Sequence, residues 1–377
     1  MSDGLTEVLD GGQFESSLSL DVFYGAERTL TGLPVDEAWD LRWSKAADVP
    51  GSGTLMVQVQ TPDGTSLTPR EFTARLAPFG QEVAPLLTIT AGRFSETIMA
   101  GRYRIADVPS ARDETLARKS RIVTVGSYVT LKIADQLEAV RAAGFTAPEN
   151  PVHTSDAWQE LARLTGMRIV RTASTSGVPS SITYEMGEGG RLKAVRALAD
   201  ALGGTPYVLP DGALTVLPDT LGAPVRRFTV GDDSTLQGFE YSMSAEGVYN
   251  EVVGNFEDAD RNPIVVPPAQ ITSGPLSVNG PFGHRTRNYA SPFVKTRDQA
   301  TSALQKILDQ SSQMRAFRVL PEFILDPRIE VGDTVEVEQA TQTYTGVVVE
   351  VTWRANGRMT LGVDIHRTLD EANLLGV

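Results

Sequence analysis

Three histidines, His153, His284 and His366, are the only imidazoles of the chain. None lies within helical reach of another and no H-E-x-x-H pair occurs, so a zinc centre would have to gather several carboxylates around isolated rings. Cysteine is absent, which removes thiolate metal sites, disulfides and cysteine nucleophiles. Gly126-Ser127 in TVGSYVT lacks the second glycine of the G-x-S-x-G elbow and reads as strand. MGEGGRLK, residues 186–193, has neither the spacing nor the Lys-Ser/Thr ending of a phosphate loop and reads as a turn leading into a helix. In DADRNP, Asp258, Asp260 and Asn262 occupy the alternate positions that open an EF-hand loop. Pro263 stands where that loop needs glycine and Ala269 where it needs a bidentate glutamate, so the segment reads as a solvated turn. Carboxylate pairs suited to glycoside cleavage arise in any fold from 47 acidic residues, so they single out nothing. Trp39 and Trp43 in DEAWDLRWS could stack on a sugar or staple a loop to a strand, and core or interface is the simpler role for such anchors. No catalytic, cofactor-binding or metal-ligating residue emerges, and no enzyme is expected.

The elements around these residues are mostly strands. SLSLDVFYG and TLMVQVQ alternate apolar with polar residues, Asp63-Gly64 is a hairpin signal, and prolines at 69, 78, 85 and 109 break the front of the chain into short pieces. Residues 1–130 are predicted to form an N-terminal β-barrel or sandwich. From residue 131 the period rises towards that of a helix. Ile133, Leu137 and Val140 mark a first helix stopped at Gly144. Trp158, Leu161, Ala162 and Thr165 mark a second, capped by Thr154 or Ser155. Leu192, Val195, Leu198, Ala199 and Leu202 mark a third, ended by a glycine pair. A hairpin turning at Asp211-Gly212 completes a small α/β insert over residues 131–225.

Strands return over residues 226–377, interrupted by a proline-rich loop from 258 to 292 and by an amphipathic helix carrying Ala300, Leu304, Ile307, Leu308 and Ser311. Loops of that length commonly serve binding or assembly. At the end, Gly332-Asp333 starts a strand with Val335 and Val337 inward. Val347, Val349, Val351 and Trp353 then share one face, and across Asn356-Gly357 so do Met359, Leu361, Val363 and Ile365. The fold class expected is α+β, mostly β, with two β-barrel-like domains flanking the insert.

Length and composition narrow the function. With 377 residues, 41% of them hydrophobic, the chain can build two or three real cores. Lys+Arg of 34 against Asp+Glu of 47 leaves 34 − 47 = −13, which repels a phosphate backbone, so no stable nucleic-acid binding is expected. Only six basic residues are lysine (Lys45, Lys119, Lys132, Lys193, Lys295, Lys306), an arginine bias that with the Ala and Gly content points to a GC-rich genome. The start, MSDGLTEVLDGGQFE, has no basic and apolar leader, and no run of about 18 apolar residues occurs, so synthesis in a cytoplasm without a membrane anchor is expected.

The order of the segments resembles one family. AWDLRWS, LAPFGQEV and GRYRI are followed by WQELARLTGMRIV, LKAVRALADALGGTPYVLPDGALTVLPD, GVYNEVVG, PFGHR, a helix and LDPRIEVGDTVEVE. This series is similar to the tail-tip (baseplate) hub proteins of long-tailed bacteriophages, the minor tail proteins of phages of high-GC actinobacteria. The resemblance implies a structural virion protein and a homotrimeric ring below the tail tube. Barrel domains would make a pseudo-sixfold collar adapting the sixfold tube and distal ring to a threefold tip. Its implied partners are the distal tail ring, the tape-measure protein and the tip or fibre proteins, with no cofactor. An acidic lumen would let DNA slide without sticking. The alternatives are a carbohydrate- or receptor-binding tail protein using Trp39, Trp43 or the 258–292 loop, a tail-associated wall-degrading enzyme, and the hub of a contractile injection machine.

Overall fold

The computed structural model describes all residues except 1, 61–64, 119–120, 188, 219–220, 230–235, 244, 246, 259, 313–316, 340–341 and 371–377. The expected turn at Asp63-Gly64 therefore lies outside the described residues. Helix α1 (Asp3–Gly11) precedes strands β1 (Glu15–Tyr24), β2 (Glu27–Pro34), β3 (Asp40–Ser44), β4 (Gly51–Gln60), β5 (Gln81–Ala91), β6 (Phe94–Met99), β7 (Tyr103–Arg118) and β8 (Arg121–Ala134). Helices α2 (Leu137–Ala142), α3 (Ala157–Thr165) and α4 (Gly190–Ala201) lead into the hairpin of β9 (Gly204–Val208) and β10 (Leu214–Pro218). Next come β11 (Arg226–Phe228), β12 (Leu236–Met243), β13 (Glu251–Glu257), β14 (Pro263–Ile264), β15 (Ala269–Gln270), β16 (Thr286–Ala290) and helix α5 (Arg297–Ser312). Strands β17 (Phe317–Ile324), β18 (Thr334–Gln339), β19 (Gln342–Arg354) and β20 (Arg358–Asp370) close the series.

The protein is mostly β, as the alternating patterns predict, but its strands are shared differently from expectation. Fourteen strands form one sheet, whose main path runs β12-β17-β20-β19-β3-β4-β8-β7-β5-β1-β2. No pairing among the described residues joins the two ends of that path, so no barrel closes. Instead the front and the back of the chain meet at β3 and β19, where Leu41 pairs with Trp353 and Trp43 with Val351. One core follows from that seam. Leu5, Leu20, Leu41 and Leu131 from the front pack in the same cluster as Phe323, Val351 and Leu361 from the back.

A β-bulge explains how one strand serves two partners. The register of β19 on β20 passes from Val348↔Val363 to Glu350↔Gly362, leaving Val349 as the extra residue. Before the bulge β19 pairs with β18, and after it Glu350–Arg354 pair with β3. Alternation therefore breaks. Tyr344 and Val348 face the core above the bulge and Val351 and Trp353 below it, so neither Val347 nor Val349 shares their face as predicted. The Val349 carbonyl accepts the Lys45 N–H at 2.8 Å. The partner row of Met359, Leu361, Val363 and Ile365 is buried as predicted, and the hairpin turns at Gly357 with φ 69°.

The helices differ from prediction at their ends. Ile133 lies in β8, and α2 begins only at Leu137 and ends at Ala143 in extended backbone, without a glycine stop. The apolar spacing that reads as one helix is a strand followed by a single short helix. In α3 the cap is Asp156, whose carboxylate accepts the Trp158 N–H, and the buried stripe takes Leu164 in place of Ala162 and Thr165. Helix α4 buries Leu192, Val195, Leu198 and Ala199 as predicted, and the hairpin after it turns at Gly212 with φ 79°. These helices and hairpin form a second core running from Leu137 to Val216. Arg196 links α4 to the sheet through Asp48 at 2.5 Å and the Ala47 carbonyl at 2.6 Å.

A third, small core sets Ala300, Leu304 and Leu308 of α5 against Val252 and Phe256 of β13. Helix α5 starts in a capping box: the Gln299 N–H donates to Thr296 Oγ1, and Gln299 Oε1 accepts the Thr296 N–H. The loop of 258–292 is ordered around Asn250, which is fully buried. Its amide donates to the carbonyls of Leu276 and Gly283 at 2.9 and 2.6 Å, and its oxygen accepts the Arg285 N–H at 2.8 Å.

Candidate assembly surface

The residues weighed for chemistry are dispersed. His153 donates only its backbone N–H to Glu160, while His284 lies exposed with Nδ1 3.4 Å from Glu251. The side chain of His366 lies outside the described residues. Among the described residues no three His, Asp or Glu side chains are placed to hold a metal ion. Asp258 accepts the N–H groups of Asp260 and Asn262, closing the turn read from DADRNP on itself. Gly189, with φ 72°, caps the start of α4 as the turn reading of MGEGG requires. All four tryptophans are buried: Trp39 at 7%, Trp43 at 9%, Trp158 at 1% and Trp353 at 5% exposure, so Trp39 and Trp43 offer no sugar platform.

Two buried acids have perturbed protonation, and both are structural. Burial pushes the Asp135 carboxyl up to about 6, against its hydrogen bonds from the Gly51 and Leu137 N–H groups at 2.6 and 2.8 Å. It fastens the end of β8 to the start of β4 and to α2. Glu160 is fully buried in α3. Burial works to raise it, but Arg163, the His153 N–H and the Tyr184 hydroxyl together hold it below the ordinary carboxylate range.

What the surface does offer is apolar. Residues 65–80, between β4 and β5, form a loop fastened from beneath at three places. Leu76 and Ala77 are buried at 0% and 1% exposure. Gln81, itself buried, accepts the Phe79 N–H at 3.0 Å and donates to the Phe72 and Ala74 carbonyls at 3.2 and 2.9 Å. Asp113 of β7 accepts hydrogen bonds from Ser66 at 2.7 Å, Thr68 at 2.7 Å, Ser127 at 2.8 Å and Arg70 at 2.8 Å. Burial acts to raise the Asp113 carboxyl, and these donors outweigh it and hold it below the ordinary range.

Held in this way, the loop presents Phe72 and Phe79 to water at 73% and 55% exposure, edge to face with ring centroids 4.7 Å apart. Tyr24, 59% exposed, borders the loop beside Gly80. Buried polar groups thus fix a backbone whose aromatic side chains remain outside.

Asp113 also marks where a second apolar feature leaves the sheet. Strand β4 pairs with β8 only as far as Gln60↔Gly126, and β5 meets β7 only at Glu82 and Val83. From Thr115↔Thr124 outward, β7 and β8 continue to Arg118↔Arg121 as a two-stranded ribbon paired, among the described residues, with no other strand. Leu116, Ile122 and Val125 are exposed on it at 49%, 77% and 36%. Among these surface residues only Val125 belongs to a periodic row, the alternation of Val123, Val125, Val129, Leu131 and Ile133. A phenylalanine on either side of Pro78 in a loop otherwise rich in turn residues was the available clue.

The described residues form a mostly-β scaffold that joins the front and the back of the chain. Its fold is that of phage tail proteins. The tail protein from Neisseria meningitidis MC58 superposes with a TM-score of 0.60 at 11% identity, over 93% of this chain and 97% of that one. The 43 kDa tail protein of prophage MuSo2 from Shewanella oneidensis superposes with a TM-score of 0.57 at 13% identity, over 93% and 98%. No family model and no curated protein sequence matches the chain.

Proposed function

We propose that the protein is a structural component of a phage tail tip, and that it forms a homotrimeric hub joining the sixfold tail tube and distal ring to a threefold tip. The observation that carries this reading is the fold, similar over 93% of the chain to that of two tail proteins. In this reading residues 1–130 and 226–377 build the collar and residues 131–225 form the insert. The ring sits in the virion of a long-tailed phage of a high-GC actinobacterial host, against the distal ring, the tape-measure protein and the tip or fibre proteins. The exposed loop of 65–80 supports a role in assembly, because obligate contacts of roughly 2,000 Å² or more need apolar centres. Among the described residues no helix is long and apolar enough to cross a membrane.

Negative-stain images of the purified protein, classified by symmetry, test the ring. Threefold particles with a central opening are the expected result. Compact monomers at every concentration would remove the self-assembling ring, and release of peptidoglycan fragments by the purified protein would favour a wall-degrading enzyme.

A further inference from the structure

We draw no further inference here: the strongest candidate, the exposed aromatic pair Phe72 and Phe79 on the surface loop of residues 65–80, carries nothing beyond the assembly role already proposed, because nothing in the structure shows what covers it.

Discussion

The indole rings of Trp43 and Trp353 meet edge to face with centroids 4.8 Å apart, across the seam where β3 from the front of the chain hydrogen-bonds to β19 from the back. Both are buried, and Trp353 Nε1 has no acceptor among the described residues. Trp353 thus contributes packing and no directional bond of its own, while the Trp43 side chain hydrogen-bonds Tyr103. Trp353→Ala is expected to destabilise the fold by about 3–5 kcal/mol through cavity formation. Trp353→Phe is expected to lose much less, because it keeps most of the ring volume while removing the same unsatisfied donor. Urea midpoints of the two variants give the comparison, and equal losses would show that volume does not govern the seam.

Much of the local structure is legible in the sequence. Asp211-Gly212 and Asn356-Gly357 located their hairpins, and the stripes of α4 and α5 named most of their buried residues, because turn chemistry and periodicity are local. The partnership of β3 with β19 was not, since nothing in DLRWS specifies a strand so distant in sequence. The bulge at Val349 was hidden for a related reason: an unbroken run of valines reads as strict alternation whether or not one of them is extra. The candidate surface was the least legible, because exposure of Phe72 or Ile122 depends on what the rest of the chain fails to cover.

Protonation of Asp135 should be visible in stability. Its carboxyl titrates near 3.8 in the unfolded chain and is pushed up to about 6 when folded. Between those values the folded chain keeps a proton that the unfolded chain has released, so this group's contribution falls as pH rises from about 4 to 6 and levels off above. The full difference is roughly 3 kcal/mol. Asp135→Asn should flatten that part of the profile, while losing about 1 kcal/mol for the N–H its amide cannot accept. Chemical denaturation of both proteins at pH 4, 5, 6 and 7 checks the sign, and parallel profiles would be inconsistent with it.

Asp113 acts in the opposite sense. Its carboxyl is held below the ordinary value, so its contribution is present above about pH 4 and fades as pH falls further. Asp113→Ala releases Ser66, Thr68, Ser127 and Arg70 together. Trypsin should then cut after Arg70 or Arg75 faster than in the parent protein, while the cores melt at nearly the same temperature. Unchanged cleavage would mean that Gln81 and Leu76 hold the loop without help.

Gly346 tolerates no side chain. A Cβ there would collide with the Asp364 carbonyl oxygen and lie 2.8 Å from Val363 Cγ1, beside the register shift of β19 on β20. Gly346→Ala should cost about 1–3 kcal/mol or more, read as a lowered urea midpoint.

Phe72→Ala and Phe79→Ala separate surface from core. Each removes a ring exposed by more than half, so the melting temperature should change little, by about 0.5 kcal/mol or less in stability. Self-association measured by analytical ultracentrifugation should weaken in the same proteins. Loss of stability without loss of association would make the pair a structural staple.

The placement of β3 between β4 and β19 has a consequence for synthesis. Strand β3 leaves the ribosome early and waits for β19, some three hundred residues behind it, so a nascent chain carries an unsealed strand edge until nearly all of the described sheet has been made. Translation halted before β19 yields a product that lacks this partner for β3, so the core shared by the front and the back of the chain can close only once β19 has been made.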